Sequence, residues 1–186
     1  MRAVLKQVSK CYQGQVVLND LTLVLEGQTA LMAPSGYGKT TLSRLLLGLE
    51  QPDSGLVEVD GTLVAVFQED RLCNHLTAIQ NIRLVSPHIT EEQAKQALQT
   101  LGFTESEFAK PTKQLSGGQA RRVALVRALL AEADGVLLDE PFKGLDEETR
   151  AKAIAWTKQT IADRWMLLIT HNFQEAQAFG CKTIQW

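Results

Sequence analysis

Residues 29–49 read TALMAPSGYGKTTLSRLLLGL. A short apolar run, Thr29 to Met32, stops at Ala33-Pro34-Ser35-Gly36, and a helical pattern starts at once, with Leu42, Leu45, Leu46 and Leu49 at i, i+3, i+4 and i+7. A strand, a Gly-rich turn and a helix in direct succession let backbone N–H groups wrap a polyphosphate while the helix N-terminus adds its positive partial charge. The turn Ala33-Pro34-Ser35-Gly36-Tyr37-Gly38-Lys39-Thr40 fits GxxxxGK[ST] except at its first position, where Ala33 stands for glycine. Lys39 would reach the β- and γ-phosphates as a point charge, and the Thr40 hydroxyl would coordinate Mg²⁺; Thr41 completes the expected nucleotide-binding set. Taken alone, the stretch also reads as a left-handed turn before an ordinary helix, and Ala33 would strain it if the backbone there needs a glycine conformation.

Working outward, Val136 to Leu138 is a second apolar strand ending in Asp139-Glu140, and Met166 to Ile169 a third ending in Thr170-His171, with helices between. Parallel strands linked by helical crossovers follow, with ligands at their C-terminal ends. Residues 2–9 and 15–25 alternate as strands do, and strands near 56–59 and 62–67 flank Asp60-Gly61, a dipeptide favoured in tight hairpins. From about 69 to 115 the texture is helical: Thr90 and Gln93 form a capping box, Ala94, Ala97, Leu98 and Leu101 an apolar face, and Gly102 a stop. The expected organisation is one α/β domain over 1–186, with a core of 1–68 and 116–186 and a small helical lobe at about 69–115.

The chain has 186 residues, 45% hydrophobic and 22% charged, which suits one soluble domain with a substantial core. Its formal charge of -2 gives no positive field to hold a nucleic-acid backbone, so nucleic acid is not an expected partner. The first residues, MRAVLKQVSKCYQG, lack the apolar core of a signal peptide, and no run approaches the roughly 18 apolar residues of a membrane span. A cytosolic chain is expected. Cys11, Cys73 and Cys181 have no CxxC spacing, as unpaired thiols in a reducing compartment would, and His75, His88 and His171 have no metal-ligand spacing.

Asp139 can hold the water shell of a metal, and Glu140 can take a proton from an attacking water; solvated strand-end acids or a helix cap are the plainer alternative. Leu115-Ser116-Gly117-Gly118-Gln119 opens a further helix, whose buried face is Val126, Leu129 and Leu130, with unobstructed backbone amides, an arrangement that binds anions, although Ser116 could serve simply as an N-cap.

With the loop upstream and the paired acids downstream, LSGGQ resembles the signature of the ABC ATPases, and the resemblance runs from about Val4 to the last residue with the motifs in family order. It implies an α/β P-loop NTPase core with a mostly parallel sheet, an N-terminal antiparallel β portion and a helical lobe. It also implies hydrolysis of ATP with Mg²⁺ in a head-to-tail dimer, where LSGGQ of one chain closes on the nucleotide held by the other. Carried over residue by residue, Tyr12 in KCYQGQVVLND stacks on adenine, and Gln68 in VFQEDRL contacts Mg²⁺ or water. Gly144-Leu145-Asp146 crosses between subunits, Asp146 being also a candidate cap, and His171 touches the γ-phosphate. The implied catalytic set is Lys39, Gln68, Glu140 and His171; the implied metal donors are Thr40, Gln68 and Asp139.

The implied partners are a second ATPase subunit, membrane permease subunits docking on residues 69–83, and an extracytoplasmic solute-binding protein. The implied location is peripheral, on the inner face of the cell membrane. FQEDRLCNHLTAIQNIRL and GVLLDEPFKGLDEETR are similar to importer ATPases for nitrate, sulfonate or taurine. The family continues beyond where this chain ends, so a compact version without a regulatory extension is expected. Two alternatives remain: an ABC ATPase that controls cell-envelope or DNA machinery, and a non-hydrolysing nucleotide binder, which the intact Lys39, Glu140, LSGGQ and His171 oppose.

Overall fold

The computed structural model describes residues 1–34 and 36–186; Ser35, one of the expected loop residues, lies outside them. In chain order the strands and helices are β1 (Arg2–Tyr12), β2 (Gln15–Glu26), β3 (Gln28–Met32), α1 (Lys39–Leu46), β4 (Ser54–Asp60), β5 (Leu63–Val66), α2 (Ala78–Val85) and α3 (Glu91–Thr100). After them come α4 (Glu105–Phe108), α5 (Gly117–Leu129), β6 (Gly135–Asp139), α6 (Glu147–Ile161), β7 (Trp165–Ile169), α7 (Phe173–Phe179) and β8 (Lys182–Gln185). They fall into two compact units, Met1–Val64 with Ala133–Asp139 and Asp163–Trp186, and Ala65–Glu132 with Glu140–Ala162.

The first unit holds an antiparallel sheet in the order β2-β1-β4 and most of a second sheet in the order β5-β6-β7-β3-β8, where β6, β7, β3 and β8 are parallel neighbours. β6 and β7 are buried at every residue, as expected of central strands in a parallel sheet. Val136, Leu137, Leu138, Leu167, Leu168 and Ile169 have no exposed surface. Each contributes roughly 1.5–3 kcal/mol by burial, which anchors the strand ends carrying Asp139 and Thr170.

On β1 the alternation Ala3, Leu5 breaks before the next buried residue, Val8. Gln7 forms a bulge there, with φ 50 and its N–H donated to Thr22 Oγ1 at 3.0 Å. Two local expectations are corrected. Asp60-Gly61 does not close a hairpin, because β4 pairs with β1 while β5 joins the other sheet. Gly61 turns the chain between sheets, and Asp134 ties that turn by accepting from the Thr62 N–H at 2.8 Å. Leu49 does not continue the α1 stripe: Leu42, Leu45 and Leu46 are buried, but α1 ends at Leu46 and Leu49 is 58% exposed.

The second unit is helical and holds the 69–115 stretch together with α5 and α6. Capping boxes open α2 (Thr77 with Gln80) and α3 (Thr90 with Gln93). α5 was expected to bury one face, Val126, Leu129 and Leu130. It is instead buried almost all round, with Arg121, Val123, Ala124 and Leu125 also inside and Leu130 half-buried. Among the described residues no helix is long and apolar enough to cross a membrane.

Candidate functional site

The turn after β3 is built by backbone conformation. Gly36 and Gly38 have φ of 88° and 76°, and Leu42 N–H donates to Gly38 O at 2.8 Å to start α1. Gly38 is there for space as well: a Cβ would sit 2.8 Å from Leu18 Cδ2 and 3.1 Å from Val17 O. Ala33 is buried and is not among the described non-glycine residues with positive φ, so its methyl brings no left-handed strain. Lys39 Nζ donates to Ala33 O at 2.7 Å and to Pro34 O at 2.9 Å, which folds the ammonium back over the loop. Thr40 and Tyr37 are exposed, whereas Thr41 is buried on the inner side of α1.

The neighbouring parallel strands bring further residues to the same edge. β6, β7 and β3 lie side by side, so their C-terminal ends present Asp139, the Thr170-His171 turn and the loop that starts at Ala33. Asp139 is buried and pairs in register with Ile169. Met32, Ala33, Pro34, His171, Gln185 and Trp186 line one cavity of about 390 Å³, so the loop and His171 face shared space. The turn carrying His171 is fixed from below. Thr170 Oγ1, fully buried, donates to Glu175 Oε2 at 2.6 Å and accepts from the Asn172 N–H at 3.1 Å, and Asn172 caps α7. Sequence reading missed Thr170 and Glu175; the signal available was a Thr and a Glu five positions apart flanking a helix start.

Tyr12 comes near the loop through the β1–β2 ladder. Lys10 pairs with Leu18, the residue against Gly38, and Tyr12 lies two positions further, about 7 Å along the strand. Tyr12 is 37% exposed.

In the second unit Ser116 is the N-cap of α5: its Oγ accepts from the Gln119 N–H at 3.2 Å while Gln119 Oε1 accepts from the Ser116 N–H at 2.7 Å. The cap role is therefore real, and helix geometry leaves the Gly117 and Gly118 amides without intrahelical partners. Asp146 likewise caps α6, accepting from the Thr149 N–H at 2.9 Å, and that bond holds its carboxyl below the usual range. The two segments touch: a Cβ on Gly118 would be 3.5 Å from Gly144 O and 3.6 Å from Leu145 Cδ2. Gln68 follows β5 and is exposed. The backbone around it is held by two arginines that sequence reading missed. Arg121, buried on α5, donates to Phe67 O at 2.6 Å and to Gln68 O, and pairs with Asp70 at 3.2 Å. Arg127 donates to Arg71 O and Asp70 O at 2.8 and 3.0 Å. Burial pushes the Asp70 carboxyl up, against the pull of Arg121 and Arg127.

Glu140 opens the second segment of the second unit at φ 49, a left-handed backbone for a non-glycine residue, and is buried. Among the described residues no three His, Cys, Asp or Glu side chains cluster as a metal cage. The Thr40 hydroxyl, Asp139 carboxylate and Gln68 amide are oxygen donors, the kind Mg²⁺ takes when phosphate supplies the rest.

A parallel sheet whose β3 runs through a glycine loop into a helix, with a strand ending in a buried acid two places along the same sheet, defines an α/β P-loop NTPase core. Comparison with known proteins narrows this. The family model described as ABC transporter matches residues 18–143, and the chain belongs to that family of ATPases. It is 41% identical over 175 residues to an aliphatic sulfonates import ATP-binding protein of Rhodococcus jostii (strain RHA1), covering 89% of this chain and 71% of the relative. It is 37% identical over 187 residues to a taurine import ATP-binding protein of Pseudomonas aeruginosa, with 88% and 69% covered. Among solved structures it resembles a dimeric bacterial ABC transporter cassette at TM-score 0.85 and 26% identity, covering 98% of this chain and 94% of that one. A dimeric cassette in a post-hydrolysis state with ADP and Pi matches at TM-score 0.84 and 27% identity, with 95% and 90% covered.

Proposed function

We propose that this chain is the Mg-ATP-hydrolysing subunit of a membrane importer for a sulfonate-type solute, working as a head-to-tail dimer on the inner face of the membrane. The observation that carries the ATPase chemistry is the shared edge of β3, β6 and β7, which presents the loop at Ala33–Thr41, Asp139 and His171 together. The import reading is supported by the relatives, named for sulfonate and taurine import. The dimer reading is supported by the dimeric cassettes.

In this reading the loop amides and Lys39 hold the β- and γ-phosphates, and Tyr12 supports the adenine. Thr40, Asp139 and Gln68 would hold Mg²⁺, which when bound neutralises phosphate charge. Glu140, a buried residue on a left-handed backbone, accepts the proton of the attacking water. His171 donates to the γ-phosphate from the turn that Thr170 and Glu175 hold. Leu115–Gln119 of the second copy closes the site with the α5 amides, and the Gly144-Leu145-Asp146 loop follows it across because Gly144 and Leu145 pack against Gly118.

The permease docks on the segment after Gln68. Arg121 and Arg127 hold residues 67–71, and the fully buried Asn81 holds the rest, accepting from the Cys73 N–H at 2.8 Å and donating to Cys73 O, Leu76 O and Thr77 O. Beside it lies a groove of about 720 Å³ whose lining includes Leu76, Ile79, Arg83 and Leu84. Leu84 and Val85 expose 58% and 52% of their surface.

The experiment is uptake of a labelled alkanesulfonate in cells lacking this chain, complemented by wild type or by Glu140→Gln. Wild type should restore uptake. Glu140→Gln should not, while the purified variant still binds ATP and accumulates as a dimer on size exclusion. Restored uptake with Glu140→Gln, or uptake indifferent to the chain, contradicts the proposal.

A further inference from the structure

The end of β1 that carries Tyr12 is gripped by the turn after α1. The Asp53 N–H donates to Ser9 O at 2.9 Å, and Asp53 Oδ2 accepts from the Cys11 N–H at 2.7 Å. Lys10 Nζ donates to Gln51 O at 2.8 Å and to Asp53 Oδ1 at 2.9 Å. Within this grip one contact concerns the ring itself: the Tyr12 hydroxyl donates to Glu50 Oε2. The other oxygen of that carboxylate accepts from Arg44 Nη1 at 3.0 Å, and Arg44 lies in the last turn of α1, the helix that starts at the phosphate loop. Lys10 Nζ stands 5.6 Å over the Tyr12 ring centroid, so the cation that the turn ties down also sits beside the aromatic face.

An exposed tyrosine without such a tether samples several rotamers, and ordering it when a base arrives subtracts from affinity. Here the hydroxyl is fixed, and what fixes it is connected through Arg44 to the helix behind the phosphates. The phenol and the Arg44 guanidinium together hold the Glu50 carboxyl below the usual range, so it is ionised near neutral pH.

We infer that Glu50 is a positioning residue for recognition of the adenine base: bridging Tyr12 and Arg44, it holds the Tyr12 ring ready to stack on the base at a fixed place relative to the phosphate loop. The inference rests on the reading of Tyr12 as the base platform. Glu50 touches neither base nor phosphate and acts through the ring.

The test compares two ligands on the full-length chain by calorimetry, Mg-ATP and inorganic tripolyphosphate, the second having phosphates but no base. Tyr12→Ala should weaken ATP about tenfold or more, in keeping with base–aromatic stacking. Tyr12→Phe and Glu50→Ala should each weaken ATP about threefold, and combining them should give no further loss, because both remove the same tether. Glu50→Gln should recover only part of the affinity, since its single amide oxygen still accepts from the phenol while its NH2 cannot accept from Arg44. Tripolyphosphate affinity should be unchanged throughout, which also certifies that each variant is folded. If Glu50→Ala weakens tripolyphosphate as much as ATP, Glu50 serves the phosphate loop through α1 and the inference is wrong. If Tyr12→Ala weakens ATP but Glu50→Ala does not, the tether has no part in binding and the inference fails while the platform reading stands. If Tyr12→Ala leaves ATP affinity intact, the platform reading falls and takes the inference with it.

Discussion

Gly36 and Gly38 have similar left-handed backbones but different surroundings, so replacing each with alanine separates backbone strain from steric exclusion. An L-residue in the left-handed region costs about 1–2 kcal/mol, offset by about 0.4–1 kcal/mol from the stiffer unfolded chain, which leaves about 1 kcal/mol. At Gly36 (φ 88) a Cβ meets no described residue within 4 Å beyond its chain neighbours, so that is the expected effect. At Gly38 (φ 76) the Cβ would lie 2.8 Å from Leu18 Cδ2 and 3.1 Å from both Val17 Cγ1 and Val17 O. Carbon atoms prefer about 3.5–4.0 Å, and forcing a methyl into packed space costs a further roughly 1–3 kcal/mol, because the Val17 carbonyl belongs to a strand paired with β1. Gly38→Ala should therefore cost about 2–4 kcal/mol. For a chain of this size, thermal melts should fall by about 3 °C for Gly36→Ala and about 9 °C for Gly38→Ala. Equal shifts would refute the claim that β2 closes off the space beside the loop.

Ala33→Gly should lower stability by about 1 kcal/mol and leave ATP affinity unchanged, because Ala33 is buried without positive φ and glycine only loosens the unfolded chain. A gain in ATP affinity by calorimetry would contradict this. Ala162→Gly should raise stability by about 1 kcal/mol in urea titration, since Ala162 ends α6 at φ 48 and ψ -117, where a Cβ is strained; no gain would mean the helix ends otherwise. The Asp146 carboxyl is held below its ordinary value by the Thr149 N–H, so its folded pKa is depressed and its contribution is present above the unfolded pKa of about 3.9 and lost as pH falls through the folded value. Asp146→Ala should thus destabilise at pH 6 and progressively less below about pH 4, and a pH-independent difference would show that the cap does not depend on the charge.

What the sequence made legible is local. The strand, glycine turn and helix at 28–46 and the capping box of Thr90 with Gln93 depend on neighbours within a few residues, and both stand in the structure. The buried strands β6 and β7 were readable from unbroken apolar runs. Sheet membership was not: Asp60-Gly61 has hairpin chemistry, yet β4 and β5 join different sheets because their partners, β1 and β6, lie far away in sequence. The single-faced reading of α5 failed because a helix buried all round has no amphipathic stripe to read. Strand β8, at the sheet's edge, carries Lys182-Thr183-Ile184-Gln185, too short and polar to stand out. For the site, the loop, Asp139 and His171 each follow the C-terminal end of an apolar strand, which in a parallel sheet puts them at one edge; the roles of the loop and Asp139 were readable from that chemistry, and the role of His171 came from the family resemblance. Of the supporting contacts, Thr170 with Glu175 left only a Thr and a Glu five positions apart at a helix start, and Arg121 with the Phe67 and Gln68 carbonyls and Tyr12 with Glu50 join residues whose types alone carry no signal of a partner.

Whether two chains share each ATP site can be read from two variants mixed in solution, Lys39→Ala and Ser116→Arg, each nearly inactive alone. Ser116→Arg also removes the α5 cap, worth about 1 kcal/mol, so its melt must first show a folded chain. Mixing tagged wild-type chains with each variant checks that subunits exchange. In a mixed dimer one composite site carries both defects, while the other joins the intact loop of the Ser116→Arg chain to the intact Leu115–Gln119 of the Lys39→Ala chain. A site shared between chains predicts that ATP hydrolysis returns on mixing, in proportion to the fraction of mixed dimers. If subunits exchange and hydrolysis stays at the level of the separate variants, the site is completed within one chain and the head-to-tail dimer is wrong.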